Sequence, residues 1–174
     1  MNLLINKTWA MPNKNTFSIK PINELILKYK NKLPENAVIV DPFANNNKIA
    51  TITNDIDPQY DTTYHMEGTD FLKMLKSDSV DMVFWDPAYS PRQLAECYKK
   101  FGLSTTFETT QASYWSKQKE EIARITKKGG IVISCGWNSG GIGKKYGFEQ
   151  LEILLVAHGG QHNDTIVTVE RKFV

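Results

Sequence analysis

A chain of 174 residues with 41% apolar and 23% charged residues suits one globular domain with a single substantial core. Its net charge of +2 excludes a domain-wide basic field, so any nucleic-acid partner must be held by local patches. No apolar run approaches the ~20 residues of a membrane span. Cys97 and Cys135 lack metal-ligand spacing, and no signal peptide is visible, so reduced thiols and a cytoplasmic location are expected.

In chain order, residues 1–19 show little periodicity and read as an N-terminal arm or loop. Pro21 opens a helix with Ile22, Leu25, Ile26, Tyr29 and Leu33 on one face, and Pro34 ends it. Ala37 to Asp41 is an apolar run closed by an acid, hence a buried strand, and a tight loop from Pro42 to Lys48 follows. Ile49 to Ile56 reads as the next strand, with Asp55 and Asp57 at its end. Residues 64–67 suggest a short strand before a helix from about Asp70. Met82 to Trp85 is a buried strand that ends in Asp86-Pro87-Ala88-Tyr89. Ser90-Pro91-Arg92-Gln93 reads as a capping box opening a helix to Phe101. Residues 103–112 are a polar loop, 113–127 a helix, and Ile131 to Cys135 a strand. The glycine-rich run from Gly136 to Gly147 reads as a long flexible loop. Leu151 to Ala157 and Thr165 to Glu170 are strands whose short link predicts an antiparallel hairpin.

Strands alternating with helices, then a hairpin, predict an α/β fold. Its expected form is a three-layer αβα arrangement around a mostly parallel, doubly wound sheet with a C-terminal antiparallel hairpin. Residues 1–174 form one domain, with no separate block for target recognition. In open α/β sheets ligands bind at the carboxyl ends of strands, which is where Asp86 falls. The quartet there suits methylation of an exocyclic amino group. Such an amine is a poor nucleophile, because its lone pair is delocalised into the ring. The Asp86 carboxylate and the Pro87 carbonyl can accept its two N–H groups, while Tyr89 offers a stacking face. Taken alone, the quartet also fits an ordinary strand end with a helix cap.

The quartet resembles the Asp-Pro-Pro-Tyr signature of adenine-N6 methyltransferases that use S-adenosylmethionine. Four further stretches match that family in order. Val38 to Ala44 is similar to the first cofactor motif, which implies that Asp41 sits near the donor's amino group and that Pro42 and Phe43 line its pocket. Thr53 to Asp57 is similar to the strand end whose acid binds the ribose hydroxyls, and Asp55, nearer the strand, is preferred to Asp57. Thr69 to Leu72 resembles the motif that receives the adenine amino group, which assigns Asp70 with Phe71 beside it. Asn15 to Pro21 resembles the extra motif ahead of the first strand, which brings Lys20 to the cofactor. The run after Trp137 and the His158 to Asp164 link are similar to small phage-type adenine-specific enzymes. With no recognition domain, loops 1–19, 103–116 and 138–147 must choose the sequence, and Trp137, Asn138, Lys144 and Lys145 are expected on the substrate.

The resemblance implies a Rossmann-like class I methyltransferase fold, S-adenosyl-L-methionine as cofactor, no metal, and DNA bearing a target adenine. RNA, a cytosine amine or a protein amide are alternative acceptors. A non-catalytic fold that binds DNA or a partner subunit is the alternative of a different class. The chain departs from the family at Asn45-Asn46-Asn47, where glycines are usual, and at Ala88, where a second proline is usual.

Overall fold

Met82 to Trp85 alternates its side chains between two buried layers, and that alternation organises the molecule. Met82 and Phe84 pack with Phe17, Ile22 and Ile26, whereas Val83 and Trp85 pack with Phe71, Ile122 and Ile125. The computed structural model describes residues 2–104 and 112–174. Its sheet has seven strands in the spatial order β1 (Leu4–Trp9), β6 (Phe148–Ala157), β7 (Thr165–Lys172), β5 (Thr126–Gly136), β4 (Val80–Trp85), β2 (Ile39–Asp41) and β3 (Ile52–Thr53). β7 is antiparallel to both neighbours, and the remaining pairs are parallel. Helix α1 (Lys20–Lys30) covers one face, burying Ile22, Leu25, Ile26 and Tyr29 at helical spacing. Helices α2 (Gly68–Met74) and α4 (Ala112–Ile125) cover the other. Helix α3 (Pro91–Lys100) packs Leu94 and Tyr98 against Tyr114 of α4. The expected three-layer architecture with a terminal hairpin is therefore present. No described helix is long and apolar enough to cross a membrane.

Four local expectations are corrected. Residues 1–19 are not all loop, because β1 pairs in parallel with β6 from Leu4↔Glu152 to Trp9↔Ala157. As an edge strand exposed on both faces it has no burial period to read. Farther along the arm, Thr16–Ser18 forms a 3-10 turn that presses Phe17 onto Phe84, ring centroids 5.2 Å apart. The second correction is β3, which pairs over two residues only. Beyond it the Asn54 side chain takes over, donating to the Pro42 and Met66 carbonyls and accepting the Met66 N–H. Tyr64 makes an isolated bridge to Asn54, not a strand. Third, α2 starts at Gly68, because the Glu67 carboxylate caps it by accepting the Thr69 and Asp70 N–H groups. Fourth, β5 starts at Thr126: the expected last helical turn is a bulged strand, tied down by Lys127 on Asp81 at 2.8 Å. Residues 105–111, within the expected 103–112 loop, lie outside the described residues.

Candidate active site

β4 delivers Asp86 to the carboxyl rim of the sheet, where the chain turns through Pro87, Ala88 and Tyr89 into α3. The Ser90 hydroxyl accepts the Gln93 N–H at 3.3 Å. The Gln93 amide oxygen reaches one residue farther back than a capping box requires, accepting the Tyr89 N–H at 2.8 Å. From α4, the Trp115 indole donates to the Ala88 carbonyl at 3.0 Å. These two bonds pin the backbone of a turn that lacks a second proline.

Asp86 lies deep among protein atoms yet keeps an accessible face. Its carboxylate accepts the hydroxyls of Tyr89 and Thr16. Burial raises its proton affinity above the ordinary carboxylate value, and those two hydrogen bonds oppose the rise. Tyr89 is pushed far up by burial and by the Asp86 charge, so its hydroxyl is a donor at any working pH. Its ring meets Trp137 edge-on at 5.7 Å and 71°. His158 closes the back of this region, Nδ1 donating to the Ala10 carbonyl and Nε2 accepting from Thr165, each at 2.8 Å. It ties the arm to the β6–β7 hairpin.

Beside the quartet, Asp41 has no exposure, and its oxygens accept the Phe43 N–H and the Asn47 side-chain amide, each at 3.1 Å. Burial raises its pKa to about 8, with Asp86 and Asp55 pushing the same way. Asp55 accepts the N–H groups of Asn45 at 2.8 Å and Asp57 at 2.9 Å. Its pKa is raised by burial, against those two bonds. Asn45 adopts φ of 50°, the left-handed conformation that glycine ordinarily supplies and asparagine tolerates best among other residues. Asp57 is buried and paired with Lys100 at 2.8 Å.

Three cavities meet at Asp86. An arm-side cavity runs between Thr16–Ser18 and the loop from Phe43 to Asn47, with Asp55 among its walls. An α2-side cavity is lined by Phe43, Asp55, Ile56, Met66 and Glu67. An open cavity reaches from Pro87 and Tyr89 toward Trp137 and Asn163. Two amide oxygens of residues lining the arm-side cavity, Asn15 Oδ1 and Asn45 Oδ1, are buried without a hydrogen-bond partner.

No protein-family model and no curated protein matches the sequence. Solved structures match the fold. TrmN from Thermus thermophilus superposes with a TM-score of 0.58 at 16% identity, over 89% of this chain and 49% of its own. An rRNA methylase from Streptococcus thermophilus gives 0.54 at 10% identity, over 95% of this chain and 100% of its own. The Burkholderia thailandensis 1,6-didemethyltoxoflavin-N1-methyltransferase, with S-adenosylhomocysteine bound, gives 0.58 at 10% identity, over 86% and 76%. The chain has the class I methyltransferase fold. It spans about half the length of TrmN and the whole of the rRNA methylase.

On this methyltransferase frame, Pro42, Phe43, Asp55, Asp86, Pro87 and Tyr89 all line the cavities that meet at the quartet, and Trp137 lines the open one. Asn138 follows Trp137 and lines a cavity on the α4 side of the quartet, its side chain accepting the Gly140 N–H at 2.8 Å. Other expected site residues are placed elsewhere. Asp41 supports the loop from behind, and Phe71 is core, 5.7 Å from the Tyr64 ring. Asp70 faces solvent and pairs with Lys73 at 3.4 Å. Lys20 is exposed beside Glu24. Lys144 and Lys145 precede β6, which runs in the same direction as β4, so they lie at the end of the sheet opposite Asp86.

Sequence reasoning missed Thr16, Glu67 and Trp115. Thr16 sits inside the stretch Asn15 to Pro21 that resembled a motif, so a signal existed for the stretch but not for the residue. Glu67 takes the hydroxyls of Tyr98 and Tyr114 as well as the α2 N–H groups. Nothing in its local pattern announces that convergence.

Proposed function

We propose that this chain transfers the methyl group of S-adenosylmethionine to the N6 amino group of adenine in DNA. The observation that carries the reading is the placement of Asp86, a deep carboxylate at the meeting point of three cavities, followed by the Pro87 carbonyl and the Tyr89 ring. The two inner cavities suit the cofactor by the chemistry of their walls. Asn15 and Asn45 present buried acceptor oxygens with no donor, which fits an ammonium group. The Asp55 oxygens each retain a lone pair for a ribose hydroxyl beyond the one N–H they hold. Gly68 makes room for Phe43, since a Cβ there would fall 2.5 Å from that ring. When bound, the sulfonium group supplies an electrophilic methyl.

The chain's own residues make the amine nucleophilic. Asp86 and the Pro87 carbonyl accept its two N–H groups and draw the nitrogen toward tetrahedral geometry, so its lone pair is freed from the ring. Thr16 and Tyr89 hold the carboxylate in orientation through their hydroxyls. Tyr89 and Trp137 provide the aromatic surface on which an extruded base stacks.

The test is transfer of radiolabelled methyl groups to unmethylated DNA, with N6-methyldeoxyadenosine as the labelled nucleoside. Asp86→Ala should keep the melting temperature and cofactor affinity near wild type. Transfer should fall at least about a hundredfold, because the lost interaction is made chiefly in the transition state. Label in another nucleoside, or in RNA and not DNA, refutes the substrate. Wild-type turnover by Asp86→Ala refutes the mechanism.

A further inference from the structure

A fourth cavity, of about 570 Å³, opens on the α4 side of the quartet between the carboxyl ends of β4 and β5. Tyr89, Trp115 and Trp137 line it with aromatic rings, and Ser116, Lys119, Ser134 and Asn138 contribute polar groups. It shares Pro87, Ala88, Tyr89 and Trp137 with the open cavity, so the Tyr89–Trp137 contact forms a wall common to both. Ser134 is 4% exposed, and its hydroxyl has no hydrogen-bond partner. The Lys119 ammonium stands 5.5 Å from the centre of the Trp85 ring, and burial lowers its proton affinity against the opposing charge of Glu170. Glu170 itself is occupied, accepting the N–H groups of Ile142 and Gly143.

Flat aromatic walls select a planar heterocycle, and the polar groups at those walls, the unpartnered Ser134 hydroxyl and the Lys119 ammonium among them, require one with a polar edge. An aliphatic occupant would leave the Ser134 hydroxyl as it is, buried and unmatched. The common wall places the occupant one residue away from whatever fills the open cavity. We propose that the fourth cavity takes a second nucleobase, the neighbour of the target in the same strand, and selects a keto edge through Lys119 and Ser134. The identity of that strand rests on the methyltransferase reading above. Lys119 can only donate, so it favours the carbonyl oxygens of guanine or thymine and is repelled by the amino groups of adenine or cytosine. Ser134 donates or accepts and fits either keto base.

Three of the four tryptophans, Trp85, Trp115 and Trp137, line this cavity, so binding is readable without turnover. Wild-type protein is titrated by tryptophan fluorescence with adenine-containing dinucleotides in which the neighbour is varied, on either side of the adenine. Half-maximal quenching by guanine or thymine neighbours should need about tenfold less ligand than by adenine or cytosine neighbours. Lys119→Gln, which presents a donor and an acceptor, should abolish that preference. Ser134→Ala should weaken the keto dinucleotides while leaving S-adenosylmethionine affinity unchanged. Equal quenching by all neighbours, or a preference that survives in Lys119→Gln, overturns the proposal. A neighbour preference without any methyl transfer sustains the cavity's role and overturns the transferase reading instead. Transfer at equal rates for every neighbour does the reverse.

Discussion

Asp41 is fully buried behind the loop it stabilises, and burial raises its pKa to about 8 from an ordinary value near 4. Between those values the native state holds one proton that the unfolded chain releases. Stability must therefore fall as pH rises through that window, by at most about 1.4 kcal/mol per pH unit from this group. Asp41→Asn removes the titration while keeping an acceptor for the Phe43 N–H. In urea unfolding, the stability of Asp41→Asn relative to wild type should improve steadily from pH 5 to pH 7.5. A constant difference over that range would show that Asp41 titrates normally. Acids at strand ends were legible in the sequence to different degrees. Asp86 stands where the apolar run Met82 to Trp85 stops, whereas Asp55 lies near the end of the expected strand Ile49 to Ile56 and is singled out only by the resemblance. Asp70 does not, because the face a helical residue takes depends on where the helix begins. With Glu67 as the cap, α2 starts at Gly68 and Asp70 turns outward to Lys73. Lys20 faces solvent for the same reason, since α1 buries the face carrying Ile22 and Ile26.

Elements with a burial period were legible, and those held by single long-range contacts were not. β4, α1 and the β6–β7 hairpin declare themselves through apolar spacing. β1 is fixed by its pairing with β6 and by Asn6 on Glu152 at 3.0 Å, neither of which leaves a local pattern. The glycine-rich segment after β5 is likewise no free loop. Glu170 of β7 reaches it and accepts the Ile142 and Gly143 N–H groups, which fixes the stretch that begins with Trp137. Gly141 has φ of 53°, and a Cβ there would lie 2.2 Å from a Glu170 oxygen. Gly102 has a similar φ of 68° with nothing within 4 Å of the added atom. The two positions separate backbone strain from displacement of the buried carboxylate. Gly102→Ala should cost the strain alone, about 1–2 kcal/mol. Gly141→Ala should cost that plus at least ~1–3 kcal/mol for leaving Glu170 unmatched, and it should shift Trp137 fluorescence. Equal costs in chemical denaturation would mean that Glu170 is not the anchor of this segment.

At the scale of the whole molecule, a net charge of +2 gives little long-range attraction for a polyanion, so any DNA affinity must come from lysines beside the cavities. Sequence position alone favours the Lys144-Lys145 pair, because it sits in the glycine-rich run that begins at Trp137. The topology separates them: Trp137 follows the carboxyl end of β5, whereas the lysine pair precedes the amino end of β6, across the length of the sheet. Beside the cavities stand Lys14 and Lys48 on the arm side and Lys119 on the α4 side. With Lys119 engaged on a base edge, two phosphate contacts from Lys14 and Lys48 would give a dependence of log affinity on log salt of roughly −2. Lys14 lines both the arm-side and open cavities, so Lys14→Ala should shallow that slope by about one and weaken binding similarly on every DNA sequence. The double change Lys144→Ala with Lys145→Ala should leave the slope as it is in wild type. Fluorescence anisotropy with a labelled duplex across a salt series measures both. A slope that responds to the Lys144–Lys145 pair and ignores Lys14 would put the DNA on the opposite end of the sheet, where no residue of the quartet could reach it.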